Sequence, residues 1–394
     1  AYIGPVSAFQ QEVPRDVATM ESLASYLVPT FPPDSKGGRP EARCTSARTL
    51  LSSLAAQPGS LPGSFVFHPY PVTPYHMDYL SHFDRIEQAK QVYQQQEAGN
   101  ASPSLRVQPR GELASQLVQA MGQPAAGAAG EAILEEISLQ DLLFDHTYSF
   151  NGWLGPPWYK EGWFHAYLLW AGLITDQERK QRVDTLYRRL IYGDYQGLAD
   201  RINVERALVA ELTRGCERVM VGYTMRHEYY NTEYSAGVEN IAVDALTGFY
   251  SPVFLRTIKL KDFLWNGWLR LGINARPRAA WNPIGGFSDR VGRLVWFGIG
   301  DPAFLPSPTS SIWLPNRIRA DTTVEGAPPG GVPVPRDAVI PEPGTGILQP
   351  VGTGKKARTK ITYRVLTSTF HDTTRMSVAD LLYPYIFAFR WSST

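Results

Sequence analysis

The residue pair with the clearest potential for chemistry is His227-Glu228, in the segment TMRHEYYNTEYS. A helical H-E-x-x-H motif would bind zinc through two histidines and use the glutamate as a general base. Here the position of the second histidine is taken by Asn231, so the motif is incomplete. Glu233 would join a metal site only if the local fold brought it close. We therefore predict that His227 and Glu228 lie in a polar loop or at the end of a strand.

Two glycine-containing segments match a phosphate-binding motif and a nucleophile motif only in part. A phosphate loop between Gly344 and Lys356 would need glycine at position 349, where the chain has Gln349, and serine or threonine at position 356. Pro350 also removes a backbone N–H donor from that segment. Residues 286–290 read GFSDR, so arginine occupies the last glycine position of the G-x-S-x-G turn. The sequence predicts neither a phosphate loop nor a nucleophile elbow.

A further group of potential ligands comprises Asp141, Asp145 and His146 in the segment DLLFDHTYSF. These residues could bind a metal, but one histidine and two aspartates after an apolar helix are more often a C-terminal turn. Three other histidines are irregularly spaced among prolines and tyrosines and indicate no particular site: His68, His76 and His82. We accordingly predict no catalytic residue, no metal site and no cofactor.

The charge and cysteine content argue against several classes of function. The 394 residues include 38 basic and 37 acidic side chains, a net charge of +1, whereas nucleic-acid binding is accompanied by a basic excess. The two cysteines, Cys44 and Cys216, form no C-x-x-C motif, which argues against a cysteine-ligated zinc site, a thioredoxin-type redox centre or covalently attached haem. They can form one disulfide or remain buried thiols.

The start of the chain and its most apolar segment bear on localisation. The chain begins with Ala1 rather than methionine, and its first residues contain neither a basic region nor a long apolar region. We interpret this as the processed N-terminus left after removal of a signal peptide, and expect a periplasmic or extracellular protein. The most apolar segment, Gly162–Ile174, is shorter than the roughly 20 residues of a membrane-spanning helix. We predict a buried helix there and no transmembrane segment.

Composition divides the chain into three predicted regions. Residues 1–125 form an N-terminal region rich in proline and serine, with helices predicted at Val17–Leu27 and Tyr79–Gln95. Residues 126–270 form a helix-rich domain. Residues 271–394 form the third region, in which short apolar segments alternate with proline and glycine.

The helix-rich domain contains several predicted elements. Apolar residues recur at close to helical spacing over Glu131–Phe144, and Asp176 is a suitable N-cap for the next helix. Asn203 is a suitable N-cap for a helix at Val204–Cys216. Arg218–Thr224 then reads as a short buried strand.

The third region includes a Pro/Gly-rich segment at residues 326–356, which we expect to be an exposed loop. The alternating, β-branched segment Lys360–Leu366 after it predicts a strand. A helix follows, with Ser377 as N-cap and Asp380 at the third helical position, the spacing of a capping box.

The segment Lys360–Arg390 carries the most specific pattern in the chain, KITYRVLTSTFHDTTRMSVADLLYPYIFAFR. It is similar to the signature of the family-5 extracellular solute-binding proteins, the oligopeptide, dipeptide and nickel binders of ABC importers. In that signature a strand leads into Phe/Trp-His-Asp-Gly-Thr-x-Met/Leu-Thr/Ser-x-x-Asp-Val-x-Tyr and then into a helix. The matching positions are Phe370, His371, Asp372, Thr374, Met376, Ser377, Asp380 and Tyr383. Thr373 replaces the glycine of the signature, which normally permits a tight turn.

Upstream residues are similar to the same family in the same order, at Ala280–Ile284 and Arg293–Phe304, so the resemblance covers about residues 274–391. It implies a mixed α/β (α+β) fold, with a periplasmic-binding-protein-like lobe of type II in the C-terminal third, preceded by the helix-rich region. It also implies that Trp281 and Asn282 are ligand-binding residues, because the corresponding strand end faces the cleft in that family.

The resemblance implies an exported solute-binding protein that captures a peptide or other small solute in a cleft, without catalysis. Its partner would be the membrane permease of an ABC importer. The alternative is a structural or accessory subunit of an exported multichain assembly, in which a recruited lobe packs against a neighbouring chain. A third hypothesis is an exported hydrolase with a dispersed site containing His227, Glu228 and Asp145.

Overall fold

The computed structural model contains two units, each built from helices and sheets, which confirms the predicted mixed α/β class. The first unit comprises Ala1–Gly300 and Pro306–Ile312, and the second comprises Asp301–Leu305 and Trp313–Thr394. The described residues are 1–3, 13–32, 40–55, 65–94, 105–121, 130–144, 157–263, 267–273, 276, 287, 289–325, 330–370 and 372–391.

A mixed sheet forms the centre of the first unit. The strands of this sheet are β1 (Tyr2–Ile3), β2 (Val17–Thr30), β3 (Phe65–Phe67), β4 (Leu105–Arg110), β5 (Gly130–Ser138), β6 (Gly222–Asn231) and β9 (Gly272–Ile273). A separate pair consists of β7 (Val238–Glu239) and β8 (Lys259–Leu260). The order in the sheet is β4-β5-β2-β6-β1-β9, with β3 also paired to β6, while β7 pairs with β8. The β4–β5 and β1–β9 pairs are parallel and the others antiparallel.

The helices of this unit pack around the sheet. They are α1 (Pro40–Ala55), α2 (Phe83–Gln94), α3 (Glu112–Met121), α4 (Leu139–Phe144), α5 (Gly162–Trp170), α6 (Gln177–Tyr192), α7 (Gly197–Thr213), α8 (Pro252–Thr257) and α9 (Arg290–Ile299). A core that includes Tyr26 and Val28 contains the buried residues of α5, α6 and α7. A second core that includes Leu27 contains those of α1 and α3. Successive residues of β2 therefore contribute to different cores, as the alternation of a strand requires.

The prediction of a helix at Val17–Leu27 is wrong, because these residues lie in β2. Both edges of β2 are paired, with β5 on one side and β6 on the other. Residues Leu23 to Val28 are almost entirely buried on both faces, so apolar side chains occur on both faces rather than in an alternating pattern. Such a segment does not distinguish a buried strand from a buried helix.

Glu131–Phe144 also differs from the predicted single helix. Residues up to Ser138 form β5, and the helix α4 begins only at Leu139. The hydroxyl of Ser138 accepts a hydrogen bond from the backbone N–H of Asp141 at 3.0 Å, as an N-cap does. This cap marks the point where the strand ends and the helix begins. The spacing of apolar residues alone does not reveal that point.

Other predicted elements fit the structure more closely. The buried helix predicted in Gly162–Ile174 is confirmed as α5, which is followed by a 3₁₀ turn. The helix predicted at Tyr79–Gln95 is present as a 3₁₀ turn followed by α2. Asp176 caps α6, since its carboxylate accepts from the N–H of Arg179 at 2.7 Å. Asn203 instead lies inside α7, which starts at Gly197, and the strand predicted at 218–224 begins at Gly222.

The second unit consists of short paired strands and one helix. Its elements are β10 (Phe304–Pro306), β11 (Trp313–Pro315), β12 (Ile318–Glu325), β13 (Val332–Pro333), β14 (Val339–Pro341), β15 (Leu348–Pro350), β16 (Lys356–Ala357), β17 (Thr359–Val365) and α10 (Val378–Trp391). The pairs are β10–β11, β12–β17, β13–β16 and β14–β15. The strand predicted at Lys360–Leu366 is confirmed as β17, and the described part of the Pro/Gly-rich segment 326–356 contains short paired strands rather than only loop.

The turn before α10 adopts the backbone conformation for which the resembled family uses glycine. Thr373 has φ of 71°, a left-handed conformation that costs a residue with a side chain about 1–2 kcal/mol. Asp372 supports the turn by accepting from the backbone N–H of Thr374 at 3.0 Å. At the helix start, the N–H of Ser377 donates to Asp380 at 2.7 Å, which confirms one half of the predicted capping box. The hydroxyl of Ser377 also donates to Asp380, at 2.8 Å.

Cys44 and Cys216 form a disulfide, which settles the alternative that the sequence left open. The bridge joins α1 to the segment after α7 and closes a loop between residues 172 positions apart. Among the residues that the structure describes, no helix combines the length and apolar character needed to cross a membrane.

Loss of this disulfide should destabilise the first unit strongly. Replacement of both cysteines by serine is expected to lower the free energy of unfolding by about 5 kcal/mol, because the unfolded chain regains the entropy of a long open loop. Urea denaturation under oxidising and reducing conditions measures this. Reductant should destabilise the native protein but not the double variant, and an equal response of the two proteins would contradict the assignment.

Candidate functional site

A buried polar region lies where residues 68–82 pack against the start of α5. This segment follows β3 and is anchored by backbone hydrogen bonds from His68 to Val221 (2.9 Å) and from Met77 to Lys160 (3.1 Å). Its buried polar residues are His68, Thr73, His76, Asp78 and His82. Their spacing along the chain does not group them, yet the fold places all of them in this buried region.

Asp78 caps helix α5 from a distant part of the chain. Its Oδ1 accepts from the N–H of Gly162 at 2.7 Å and its Oδ2 from the N–H of Trp163 at 3.1 Å. These first-turn N–H groups have no partner inside the helix. Gly162 is required for this approach, because a Cβ there would lie 2.8 Å from the side chain of Val72. Burial, followed by the nearby Glu161 carboxylate, raises the pKa of Asp78 to about 8.

Two further buried carboxylates, Glu161 and Glu205, flank this cap. Arg201 bridges them, donating through Nη2 to Glu161 and through Nε to Glu205 at 2.7 Å. The indole N–H of Trp163 also donates to Glu161. Burial and the charge of Glu161 raise the pKa of Glu205 to about 7. The cluster of Asp78, Glu161 and Glu205 thus has one guanidinium to balance up to three negative charges.

His82 completes this group. Its side chain has no exposed surface, and its Nδ1 lies 2.9 Å from the hydroxyl of Tyr70. Its Nε2 has no hydrogen-bond partner and lies 3.8 Å from Oδ2 of Asp78. Burial lowers the pKa of His82 to about 4, so the ring is neutral at neutral pH. One ligand atom from each of Asp78, His82 and Glu205 lies within 4.8 Å of the other two.

A second network joins Tyr26, His76 and His165. The N–H of Thr73 donates to Nδ1 of His76 at 2.8 Å, so the proton of this ring is on Nε2, which faces the Tyr26 hydroxyl at 3.0 Å. Nε2 of His165 lies 2.7 Å from the carbonyl of Tyr159 and therefore carries the proton, which leaves Nδ1 to accept from Tyr26 at 2.5 Å. Every ring nitrogen is satisfied with both histidines neutral, so this network is a structural element of the core.

The stability of the fold should depend on pH through His165. Burial lowers its pKa to about 4, while the unfolded chain has the ordinary value of 6.5. Between these values the unfolded chain binds a proton that the folded chain does not, so stability is lost as the pH falls from about 6.5 to 4, by up to about 3 kcal/mol. His165→Gln cannot titrate there, so its unfolding free energy should fall less than that of the native protein between pH 7 and pH 4.5.

Urea denaturation at several pH values measures this difference. The other buried titratable groups are present in both proteins, so the difference between the two curves reports on His165 and on its effect on the pKa of the neighbouring His76. Parallel curves would contradict a neutral His165 in the folded protein.

A buried ion pair lies next to these networks. The ammonium of Lys160, whose side chain has no exposed surface, donates to Asp244 and to the carbonyl of Ser307 at 2.6 Å. The other oxygen of Asp244 accepts from the N–H groups of Leu246 and Thr247, each at 3.0 Å. All of these groups are paired, so the ion pair fixes the loop that contains Asp244.

His227 and Glu228 lie inside β6, not in a polar loop. Nε2 of His227 lies 3.1 Å from the carboxylate of Glu21, whereas Glu228 is buried and accepts from Nε of Arg226 at 2.9 Å and from the N–H of Phe249. Neighbouring strand residues point to opposite faces, so this pair does not converge on one ligand.

The other sequence-predicted site residues are separated from this region or not described. Asp141 is bonded to the hydroxyl of Ser138 at 2.7 Å, at the start of α4. Asp145, His146, Trp281 and Asn282 lie outside the described residues. The prediction that Trp281 and Asn282 contact ligand therefore remains a prediction.

An open pocket of about 350 Å³ lies on the surface of the first unit, beside the Cys44–Cys216 disulfide. Its walls come from α1, α2, residues 69–71 and residues 213–220, and include Arg48, Leu51, Tyr70, Tyr93, Arg214 and Met220. Its volume falls at the lower end of the range for small-molecule sites, and its mixture of aromatic, apolar and charged walls suits an amphipathic ligand.

Arg48 is a charged side chain of this pocket that is available for a ligand. Within the described parts of the chain, its guanidinium forms no hydrogen bond or ion pair. Arg218 also lines the pocket, but it donates to Thr30 at 2.8 Å and to the carbonyl of Leu169 at 2.7 Å. Arg214 lies 3.7 Å from the carboxylate of Glu211.

Sequence reasoning missed both the pocket and the buried cluster. One signal for the cluster was present: Asp78 and His82 are four residues apart, a spacing that places two ligands on one side of a helical turn. Glu205 belongs to a different helix far along the chain, so only the fold brings it to them.

No family model and no curated protein matches this chain. It is similar to the structure of the periplasmic binding protein AgaA from A. tumefaciens R10 in complex with agropinic acid, with 12% identity, a TM-score of 0.34 and coverage of 63% of this chain and 52% of that chain. It is similar to HbpA2 from Haemophilus parasuis, with 12% identity, a TM-score of 0.35 and coverage of 65% and 52%. This chain spans about half the length of both structures.

Proposed function

We propose that this chain is an exported solute-binding protein, and that the pocket beside the disulfide binds the carboxylate of a small amphipathic solute or peptide. The observation that carries the proposal is the unpaired guanidinium of Arg48, placed in one pocket with the rings of Tyr70 and Tyr93. Arginine binds carboxylates through two parallel hydrogen bonds, and aromatic walls bind the apolar part of such a ligand.

Two other features support export and transport. The Cys44–Cys216 disulfide is typical of proteins in oxidising compartments such as the periplasm. The segment Lys360–Arg390 resembles the signature of peptide-binding components of ABC importers, with the left-handed turn at Thr373 in place of the family's glycine. We therefore infer that the bound solute is delivered to a membrane permease, and that the protein performs no covalent chemistry on it.

The role assigned to Arg48 can be tested with short peptides whose C-terminus is either a free carboxylate or an amide. At 100 times its dissociation constant, a ligand of the folded state adds about 2.7 kcal/mol to the stability, which raises the melting temperature. We expect this rise with free carboxylates and a much smaller one with amides. Loss of one charged hydrogen-bonding partner costs about 1.5–3 kcal/mol, so Arg48→Gln should weaken binding by roughly ten- to a hundredfold.

Arg188→Gln is the matched control, because Arg188 is an exposed arginine on α6 that does not line the pocket. It should bind the peptides like the native protein. A panel of peptides and small carboxylates without any thermal shift would overturn the solute-binding proposal. Equal binding of acids and amides would overturn the role of Arg48.

A second candidate function, a subunit of an exported assembly, is favoured by the surface of α10. None of the residues of this helix is buried, although it carries large apolar side chains such as Leu382, Tyr383 and Tyr385. Apolar surface of this kind is typical of interfaces. If α10 packs against another chain or copy, the protein should be oligomeric or self-associating in solution.

Sedimentation velocity of the native protein and of a Leu382→Glu variant tests this candidate. Association of the native protein that is lost in the variant would support it. A monodisperse monomer for both proteins would contradict it. Because the pocket residues belong to the first unit, ligand binding by the variant should be unchanged under the first proposal.

A further inference from the structure

The structure contains a buried imidazole nitrogen for which the described residues supply no partner. Within them, Nε2 of His82 makes no hydrogen bond, although the His82 side chain has no exposed surface. An unsatisfied buried polar atom costs roughly 1–3 kcal/mol, so folded proteins seldom leave one without a ligand, ion or water.

This nitrogen points towards carboxylate oxygens. It lies 3.8 Å from Oδ2 of Asp78, beyond hydrogen-bonding distance. One ring nitrogen of His82 also lies within 4.8 Å of a carboxylate oxygen of Glu205. Ligand atoms around a tetrahedral zinc ion are about 3.3 Å apart, given metal–ligand bonds of about 2.0–2.1 Å. The three atoms therefore need to move by less than about 1.5 Å relative to one another to surround a cation.

The charge of the surroundings favours a cation at this position. Asp78, Glu161 and Glu205 are all nearly inaccessible to solvent, and Arg201 is the cation that pairs with Glu161 and Glu205. Two further arginines act on His82, Arg85 and Arg206, and both are paired with Asp84. The buried ammonium of Lys160 is paired with Asp244. Buried carboxylates without a counter-charge are costly, and a divalent cation would compensate them.

The second ring nitrogen of His82 is held as it is in metal-binding histidines. Nδ1 lies 2.9 Å from the hydroxyl of Tyr70, which can accept the Nδ1 proton and leave Nε2 with a free lone pair for the metal. Metal-binding histidines almost always donate their other ring proton in this way. Tyr70 also lines the pocket, so the same contact connects the cluster to the pocket wall.

We propose that Asp78, His82 and Glu205 form a structural site for a divalent transition-metal cation, with Zn²⁺ as the representative ion. One imidazole nitrogen and two carboxylate oxygens suit zinc better than calcium or magnesium, which prefer oxygen ligands alone. The bound ion would join residues 68–82 to helix α7 and fix the Tyr70 wall of the pocket. The sequence predicted no metal site, because its three ligands come from two separate parts of the chain.

Titration of the full chain with Zn²⁺ after removal of metal by EDTA tests this site. Calorimetry should show one ion bound per chain, with a rise in melting temperature. Glu205→Gln, which keeps the size of the side chain, and His82→Gln should each weaken binding by at least about a hundredfold. Tyr70→Phe should weaken it by roughly tenfold through loss of the bond that orients His82.

His227→Gln is the control for adventitious zinc binding, because His227 is partly exposed and lies 3.1 Å from Glu21. It should leave the affinity unchanged. Loss of binding in this variant, together with normal binding in Glu205→Gln, would overturn the proposal. So would a native protein that binds no zinc.

X-ray absorption of the zinc-loaded native protein gives a second test that does not depend on a variant folding. The spectrum should show a single imidazole and otherwise oxygen ligands. A shell without imidazole scattering, or with several imidazoles, would overturn the assignment to His82.

Discussion

The hydrogen bonds from the first turn of α5 to Asp78 are the contact on which the arrangement of this region depends. They satisfy the N–H groups of Gly162 and Trp163, which would otherwise be buried without partners. In doing so they bind residues 68–82 to a helix that is buried on nearly every side. Because Val72 packs against Gly162 at the same place, any side chain at position 162 would separate the two segments. Tyr70 and His82 take their positions from this anchored segment.

That arrangement buries several ionisable groups away from water, which is unfavourable. The protein compensates for this burial in two different ways. In the Tyr26 network, backbone groups fix the tautomers of His76 and His165, so both rings remain neutral and fully hydrogen bonded. Around Asp78, Arg201 pairs with two buried carboxylates, and among the described residues Nε2 of His82 has no hydrogen-bond partner. The first network is a satisfied part of the core, whereas the second is the metal site that we propose.

The second unit is organised by local interactions rather than by a large core. Its strands pair in short antiparallel ladders, and α10 has no fully buried residue. The segment that resembles the binding-protein signature works here mainly through turns and caps: Asp372 supports the turn, Thr373 adopts the left-handed conformation, and Asp380 accepts from the N–H of Ser377. These are structural roles, so the resemblance bears on the local fold and not on the identity of a ligand.

The sequence by itself determined the elements whose signals are local. The buried helix α5, the Asp176 cap of α6, the strand β17 and the Ser377–Asp380 start of α10 all depend on residues within one or two turns of each other. It did not determine β2, since a run of apolar residues buried on both faces has no period that separates strand from helix.

Only the tertiary structure decided the Cys44–Cys216 pairing, the pocket around Arg48 and the meeting of Asp78 and His82 with Glu205. Each of these joins residues that are far apart in the chain. Their contacts are created by the packing of whole elements, which no local spacing of residue types can express.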